Sequence, residues 1–227
     1  MNKPSSGILL MVLLCTLVAL QCSDQRHRFG IVIGDSHAEM PTGWAHQLQN
    51  LRPQDSIYNF AISGNTIGFD NLGRKELNEL RNIHYRLAQA DNAMRRIDYI
   101  VILLGTNDCK AVFDSLQSLV PANLEKLLSI VTNYDFASSS KPEVFLVTPP
   151  PVAADSLMEA KYSGARKRLH GLLPHFQRLA SRYNCRFVDV HTDLEQDLAA
   201  LSQDGVHLTE SGYGAIAARI NAAIGAP

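Results

Sequence analysis

Short runs of apolar residues alternate with longer amphipathic segments along most of this chain. Several of the short runs consist almost entirely of Ile, Val, Leu and Phe, which is typical of strands buried on both faces of a parallel sheet. The pattern therefore predicts five strands. They span residues 29–33, 56–62, 99–104, 144–147 and 186–190.

Three of the longer segments carry apolar residues at helical spacing. The clearest spans residues 71–96, a second opens at Pro121, and the third follows Thr209, whose hydroxyl suits an N-cap. Because strands and helices alternate, we expect an α/β fold in which helices cover both faces of a parallel sheet. Right-handed crossovers between five strands favour the flavodoxin-like strand order 2-1-3-4-5.

The first residues of the chain differ from the rest. Lys3 gives a positive start, and residues 8–20 are apolar with no polar face. A helix of that length spans about 20 Å, which is short of the roughly 30 Å hydrocarbon core of a bilayer. We therefore expect residues 1–22 to be a signal peptide and residues 23–227 to form one exported domain, whether periplasmic, extracellular or membrane-anchored.

The end of this leader allows two kinds of processing. The segment 19–22 resembles a bacterial lipoprotein box, in which Cys22 is lipidated and becomes the new N-terminus. Gln21 departs from the small residue that usually precedes that cysteine. Ordinary cleavage near Cys22 or Ser23 is the alternative, so a lipid anchor at Cys22 and a released protein both stay open.

Composition and motifs exclude several classes of protein. A net charge of -1 without charged runs gives no reason to expect nucleic-acid binding. The four cysteines are too few for a disulfide scaffold, and we expect Cys109 and Cys185 to be free thiols. No H-x-H, H-E-x-x-H, phosphate-loop or dinucleotide pattern occurs, so no metal ion and no cofactor is expected.

Polar residues follow the first three predicted strands. Strand 1 ends in Gly-Asp-Ser at 34–36, strand 2 is followed by 63–66, and strand 3 by Gly-Thr-Asn-Asp at 105–108. In a sheet of this order, ligands bind at the carboxyl ends of the strands where the winding direction reverses, here between strands 1 and 3. We therefore expect these clusters to converge on one crevice.

Ser36 stands where the first strand turns into a helix, and the free N–H groups of a helix start suit an oxyanion. A serine nucleophile also needs a base. His207 is the candidate, and Asp204 can hold one ring nitrogen so that the other faces Ser36. His191, at the end of strand 5, is an alternative base. His37 is a poor one, because neighbouring side chains on a helix diverge.

These blocks, in this order, resemble those of the SGNH (GDSL) hydrolase family over essentially the whole chain after the leader. The resemblance implies the flavodoxin-like SGNH fold and cleavage of esters. The family's serine, glycine and asparagine fall on Ser36, Gly64 and Asn107, and its aspartate and histidine fall on Asp204 and His207. By resemblance, the oxyanion hole consists of the Ser36 and Gly64 N–H groups and the Asn107 side-chain amide.

Segments 105–111 and 148–151 are also similar to the arylesterase and acyltransferase branch, which favours short acyl groups. We therefore predict a serine hydrolase that cleaves small, short-chain or acetyl esters, on small molecules or glycans, through an acyl-serine intermediate. The alternatives are an acyltransferase that uses the same residues and a non-catalytic carbohydrate-binding module on the same fold. We expect Asp35 and Asp108 to fix loops as hydrogen-bond acceptors, and Lys110 to be a solvated or rim residue.

Overall fold

The computed structural model describes residues 27–138, 141–202 and 204–225. The predicted signal peptide, residues 1–22, lies outside the described residues, as does the candidate lipidation site Cys22. No helix in the described part of the chain is long and apolar enough to cross a membrane. Both cysteines in that part, Cys109 and Cys185, are free thiols, as the sequence predicts.

Five strands form one parallel sheet in the order 2-1-3-4-5, which confirms the predicted fold class. Every neighbouring pair of strands is parallel, so all five carboxyl ends meet at one edge of the sheet. The strands are β1 (Phe29–Ile33), β2 (Ser56–Asn59), β3 (Tyr99–Ile102), β4 (Glu143–Val147) and β5 (Arg186–Val188).

The α-helices lie between and after the strands, and several short 3-10 turns connect them. The α-helices are α1 (Ser36–Glu39), α2 (Trp44–Leu51), α3 (Glu79–Ala93), α4 (Val120–Asn133), α5 (Ala165–Arg182), α6 (His191–Glu195), α7 (Leu198–Leu201) and α8 (Glu210–Ile224).

Both faces of the sheet are covered, which gives three layers. Along β1, Ile31 and Ile33 point to one face and Val32 to the other, as the two-residue period of a strand requires. Ile31 and Ile33 share an apolar cluster with α3, α4 and α5, whereas Val32 shares one with α2, α6 and α8.

Three strands are shorter than predicted, since β2, β3 and β5 end at Asn59, Ile102 and Val188. The apolar run after β3 continues through Leu103 and Leu104, both of which are buried although the strand has ended. Hydrophobicity reports burial and does not report pairing with a neighbouring strand. The apolar pattern therefore overestimates strand length near the carboxyl edge.

The helix predicted over 71–96 is shorter in the structure, where α3 begins at Glu79 and ends at Ala93. The N–H of Thr66 donates to the carbonyl of Leu77 at 3.0 Å, and the N–H of Glu79 donates to the carbonyl of Thr66 at 3.0 Å. Because of these bonds, the backbone groups beside Leu77 are paired with the loop that follows β2 and are not available for helical hydrogen bonds. The helix therefore cannot begin one or two turns sooner.

The other two predicted helices are confirmed. Helix α4 begins at Val120, so Pro121 lies in its first turn, where the missing N–H of proline costs nothing. Helix α8 begins after Thr209, whose Oγ1 accepts the N–H of Gly212 at 3.4 Å. That bond satisfies one of the free donors of the helix start.

Helix α5 was not among the predicted helices, although it has 18 residues. Its buried positions include Leu169, Leu172 and Phe176, which follow helical spacing. Gly171 and Pro174 interrupt this stripe in the sequence, and both are poor helix formers. Packing of the apolar face against the sheet outweighs those two unfavourable residues.

Candidate active site

Ser36 is the first residue of α1 and follows β1 after a two-residue turn. Asp35 caps this helix, because its Oδ1 accepts the N–H of His37 at 3.0 Å. A Cβ on Gly34 would lie 2.8 Å from the Cβ of Ala38, so the turn is too tight for any other residue. The sequence thus folds so that the Ser36 hydroxyl stands at the carboxyl edge of the sheet.

The structure brings Ser36, His207 and Asp204 together in one hydrogen-bonded chain. The Oγ of Ser36 lies 3.0 Å from Nε2 of His207, and Nδ1 of His207 lies 2.7 Å from Oδ2 of Asp204. The proximity of these three residues is what the sequence predicts. Both contacts are within the reach that proton transfer between nucleophile, base and orienting carboxylate requires.

The loop that carries the base holds itself in place. Oδ1 of Asp204 accepts the N–H groups of Val206 and His207 at 2.9 and 2.7 Å. Burial raises the pKa of Asp204, but the bonds from His207 and Val206 outweigh this effect and hold the pKa below its usual value. Asp204 is therefore an ionised acceptor, and this requires His207 to carry its proton on Nδ1.

Two further bonds brace the same loop from neighbouring segments. The hydroxyl of Ser202 donates to the carbonyl of His207 at 2.7 Å, and the N–H of Leu208 donates to the hydroxyl of Tyr213 at 3.2 Å. Gly205 has a φ of 78°, and its carbonyl accepts the N–H of Ala153 at 2.8 Å. The imidazole therefore projects from a backbone that is fixed on both sides.

His37 lies beside the chain of hydrogen bonds without joining it. Its Nδ1 is 3.2 Å from the hydroxyl of Tyr213, and its ring centre is 5.7 Å from that of His207. Burial, and then the charge of His207, lower the pKa of His37 to about 3, so this ring is neutral. The contact was not expected from the sequence, although Tyr213 belongs to the apolar stripe of the last predicted helix.

Two backbone N–H groups of the predicted oxyanion hole have no protein acceptor among the described residues. Within residues 27–138, 141–202 and 204–225, no group accepts from the N–H of Ser36 or of Gly64. Gly64 has a φ of 85°, which favours glycine, and its carbonyl accepts the Nδ2 of Asn71 at 2.7 Å. A positive φ and a free donor thus occur at the same residue.

The side chain of Asn107 is buried in the same crevice. Its Nδ2 donates to the carbonyl of Asn65 at 3.2 Å and to Oδ2 of Asp35 at 3.4 Å. The second contact is too long to be strong. The structure therefore places the Asn107 amide between the loop after β2 and the cap of α1, with one N–H only weakly engaged.

Asp35 and Asp108 fix loops, as the sequence predicts. Both oxygens of Asp108 accept the N–H of Ile67, at 3.1 and 2.9 Å, and this bond ties the loop after β3 to the loop after β2. Both carboxyl groups are fully buried, and burial raises the pKa of each to about 7. Each of these carboxyl groups has lost its contact with water and accepts hydrogen bonds from backbone N–H groups instead.

The prediction that Lys110 is a solvated or rim residue was wrong. Lys110 is only 8% exposed, and its Nζ lies 5.6 Å from the centre of the Tyr162 ring. Lys110 directly follows the 3-10 turn Asn107–Cys109, and its N–H donates to the carbonyl of Asn107. Burial, followed by the charge of Lys161, lowers the pKa of Lys110.

His191, the alternative base, does not contact Ser36 in the structure. Its Nδ1 lies 3.2 Å from the carbonyl of Pro149, and its ring packs edge-on against His170 with 5.1 Å between ring centres. The ring nitrogen that accepts from the Ser36 hydroxyl is Nε2 of His207. Of the two histidines, only His207 meets the geometric requirement of a base.

Comparisons with known proteins identify the family and agree with the fold. The model of the GDSL-like lipase/acylhydrolase family matches residues 31–215, whereas a search of curated proteins finds no match. A carbohydrate acetylesterase family member from Sinorhizobium meliloti is similar, with a TM-score of 0.70 and 22% identity over 87% of this chain and 97% of that one.

Two further solved structures share the fold. An aryl esterase from M. smegmatis has a TM-score of 0.67 and 22% identity, over 85% of this chain and 98% of that one. An acetylxylan esterase from Geobacillus stearothermophilus has a TM-score of 0.61 and 20% identity, over 87% of this chain and 94% of that one. The chain therefore belongs to the GDSL-like lipase/acylhydrolase family, a family of carboxylic ester hydrolases.

Proposed function

We propose that Ser36 is the nucleophile of this hydrolase, that His207 is its base and that Asp204 orients the base. The observation that carries this assignment is the unbroken chain of contacts from Ser36 Oγ through the His207 ring to the Asp204 carboxylate, at 3.0 and 2.7 Å. Nδ1 keeps its proton for Asp204, so Nε2 presents a lone pair to the serine hydroxyl.

In the first half of the reaction, Nε2 of His207 takes the proton of the Ser36 hydroxyl while Oγ attacks the ester carbon. The carbonyl oxygen gains a negative charge, which the N–H groups of Ser36 and Gly64 and the amide of Asn107 stabilise. The tetrahedral species collapses and the carbon–oxygen bond to the alcohol breaks. His207 gives its proton to the departing alcohol, which leaves an acyl group on Ser36.

The second half repeats these steps with water. His207 takes a proton from a water molecule that attacks the acyl carbon, and the same three donors hold the oxyanion. The bond to Ser36 Oγ breaks, His207 returns the proton to Oγ, and the carboxylic acid leaves.

For the substrate, we propose a short-chain ester, with acetyl the favoured acyl group, on a small molecule or a glycan. Two of the solved structures that share the fold are named as acetylesterases of carbohydrates, and a third as an aryl esterase. The segments 105–111 and 148–151, with their similarity to the arylesterase branch, support the same choice. If an alcohol attacks the acyl group on Ser36 in place of water, the same residues catalyse acyl transfer, and the protein is an acyltransferase.

We also propose that the protein acts outside the cytoplasm. The charged start and apolar run of residues 1–22 support export, and Cys22 offers a lipid-anchored alternative to a released form. Mass spectrometry of the mature N-terminus distinguishes the two, because lipidation adds acyl mass to Cys22.

The test of the function uses nitrophenyl esters of increasing acyl length beside acetylated glycans, with and without an added alcohol. Ser36→Ala should lower kcat by about 10⁶, since this is the cost of losing the nucleophile in a related chemistry. It should also abolish labelling by a fluorophosphonate. The control is Ser181→Ala, which replaces an exposed serine on α5 and should retain both turnover and labelling. A folded Ser36→Ala protein with substantial turnover would contradict the assignment.

A further inference from the structure

Two histidines and a glutamate form a cluster beside the carboxyl end of β5. His170 projects from α5, and His191 and Glu195 lie one helical turn apart on α6, so their side chains share a face. One potential ligand atom from each of the three lies within 4.8 Å of the others. Nε2 of His170 is 3.1 Å from Oε1 of Glu195.

His191 is the most constrained member of this cluster. It is 1% exposed, and its Nδ1 lies 3.2 Å from the carbonyl of Pro149. A carbonyl can only accept, so Nδ1 carries the proton and Nε2 of the neutral ring has a free lone pair. Among the described residues, Nε2 of His191 has no hydrogen-bond partner, which is costly for a buried polar atom.

The surroundings hold the His191 ring in this state. Oγ1 of Thr148 accepts the N–H groups of Val190 and His191, each at 3.0 Å, and this fixes the start of α6. A histidine that donates one ring N–H to a backbone carbonyl, with the other nitrogen bare, is the arrangement that proteins use to orient a metal ligand. One ring nitrogen of His191 lies in the cluster with His170 and Glu195. Because the Pro149 carbonyl already engages Nδ1, we assign the bare Nε2 to that position.

We propose that His170, His191 and Glu195 bind a divalent transition-metal ion, with zinc the best match. Two imidazole nitrogens and a carboxylate oxygen are the ligand set that zinc accepts at about 2.0–2.2 Å. Ligands of one tetrahedral ion at that distance lie about 3.3–3.5 Å apart, so the cluster must close slightly. Water completes the coordination.

The two outer ligands can make that adjustment. The side chains of His170 and Glu195 are 44% and 33% exposed, so they can rotate toward a fixed His191 and an ion can reach them from solvent. A cation already competes for the carboxylate, because the guanidinium of Arg166 lies 3.2 Å from Oε1 of Glu195. Removing the Arg166 charge should therefore strengthen metal binding.

The site would connect two segments that are far apart in the sequence. His170 belongs to the helix that follows β4, whereas His191 and Glu195 follow β5 and precede the loop that carries Asp204 and His207. A bound ion would tie α5 to α6 across the carboxyl edge of the sheet. Its role is a structural clamp, distinct from the reaction proposed at Ser36.

The experiment uses the tag-free chain, treated with a chelator and then titrated with zinc or cobalt. We expect saturable binding of one ion at this site, with the visible absorption of cobalt in a nitrogen and oxygen environment. His170→Gln and Glu195→Gln should each weaken binding by more than about 10-fold. Arg166→Gln should tighten it. His175→Gln changes a half-buried histidine on the same helix that lies outside the cluster, and it should leave binding unchanged.

Stability gives a second readout that does not depend on turnover. Zinc at about 100 times its Kd should raise the Tm of the native chain by about 5–10 °C, and this shift should shrink in His170→Gln and Glu195→Gln. Binding weaker than about 1 mM would overturn the proposal. So would binding that persists in both of those variants and disappears in His207→Ala, because the ion would then belong to the active site.

Discussion

Replacement of Asn107 by alanine separates a role in the reaction from a role in the fold. The Asn107 amide is the one side-chain donor that we assign to the oxyanion hole, so a point mutation can delete it without moving the backbone. Its Nδ2 also holds the carbonyl of Asn65 at 3.2 Å, and that bond is lost as well. The two losses should appear in different measurements.

The expected loss of kcat is much larger than the expected loss of folding stability. Loss of one oxyanion donor costs about 10²–10³ in kcat, or roughly 3–4 kcal/mol of transition-state stabilisation. Loss of the ordinary hydrogen bond to Asn65 costs about 1 kcal/mol of folding free energy, which lowers the Tm of a chain of this size by about 2–4 °C. The variant thus stays folded at 25 °C while turnover falls, and KM changes little because the charge exists only on the tetrahedral species.

The assay is steady-state hydrolysis of a nitrophenyl acetate with a parallel thermal melt. Asn82→Ala is the control, since the Asn82 amide likewise donates to the backbone, to the carbonyls of Lys75 and Asn78 at 2.9 and 2.7 Å. It should lose a similar amount of stability and keep its kcat. Asn107→Asp should be at least as damaging as Asn107→Ala, because a carboxylate repels the oxyanion. A lower Tm with unchanged kcat in Asn107→Ala would refute the assignment.

Two further predictions concern carboxylates. Asp204→Asn should lower kcat by about 10⁴ with the fold intact, because an amide facing Nδ1 of His207 forces the proton onto Nε2, and kinetics close to wild type would count against Asp204 as the orienting group. The pKa of Asp108 is raised by burial to about 7 from roughly 3.9 in an unfolded chain, so its contribution to stability is complete below pH ~4 and is lost as pH rises through about 7. Denaturant unfolding should therefore show Asp108→Asn gaining stability relative to wild type between those pH values, and a constant difference would argue against a buried, neutral Asp108.

The position of the crevice could be predicted because it depends on few physical rules. Apolar runs indicate buried parallel strands, the handedness of crossovers restricts their order, and that order fixes where the carboxyl ends of β1 and β3 meet. Ser36 and Asn107 follow those two strands directly, so their approach to each other required no side-chain information. The base followed from a similar argument, since His207 precedes the last helix.

Contacts between distant side chains could not be predicted in this way. The contact of His37 with Tyr213 joins residues 176 positions apart and depends on how α1 and α8 pack. The burial of Lys110 depends likewise on Tyr162, which comes from a separate segment after β4. The sequence pattern of one helix or strand does not predict such contacts, because its apolar spacing indicates only the secondary structure of that segment.

The braced loop carries both Asp204 and His207, so whether the active site is assembled depends on the position of this one short segment. If this segment opens, the base and its carboxylate leave Ser36 together. The observed turnover is then the intrinsic rate multiplied by the fraction of molecules in which the segment is closed. The amide protons of Val206 and His207, both held by Asp204, exchange with solvent only in the open fraction, so they count the inactive molecules in a population.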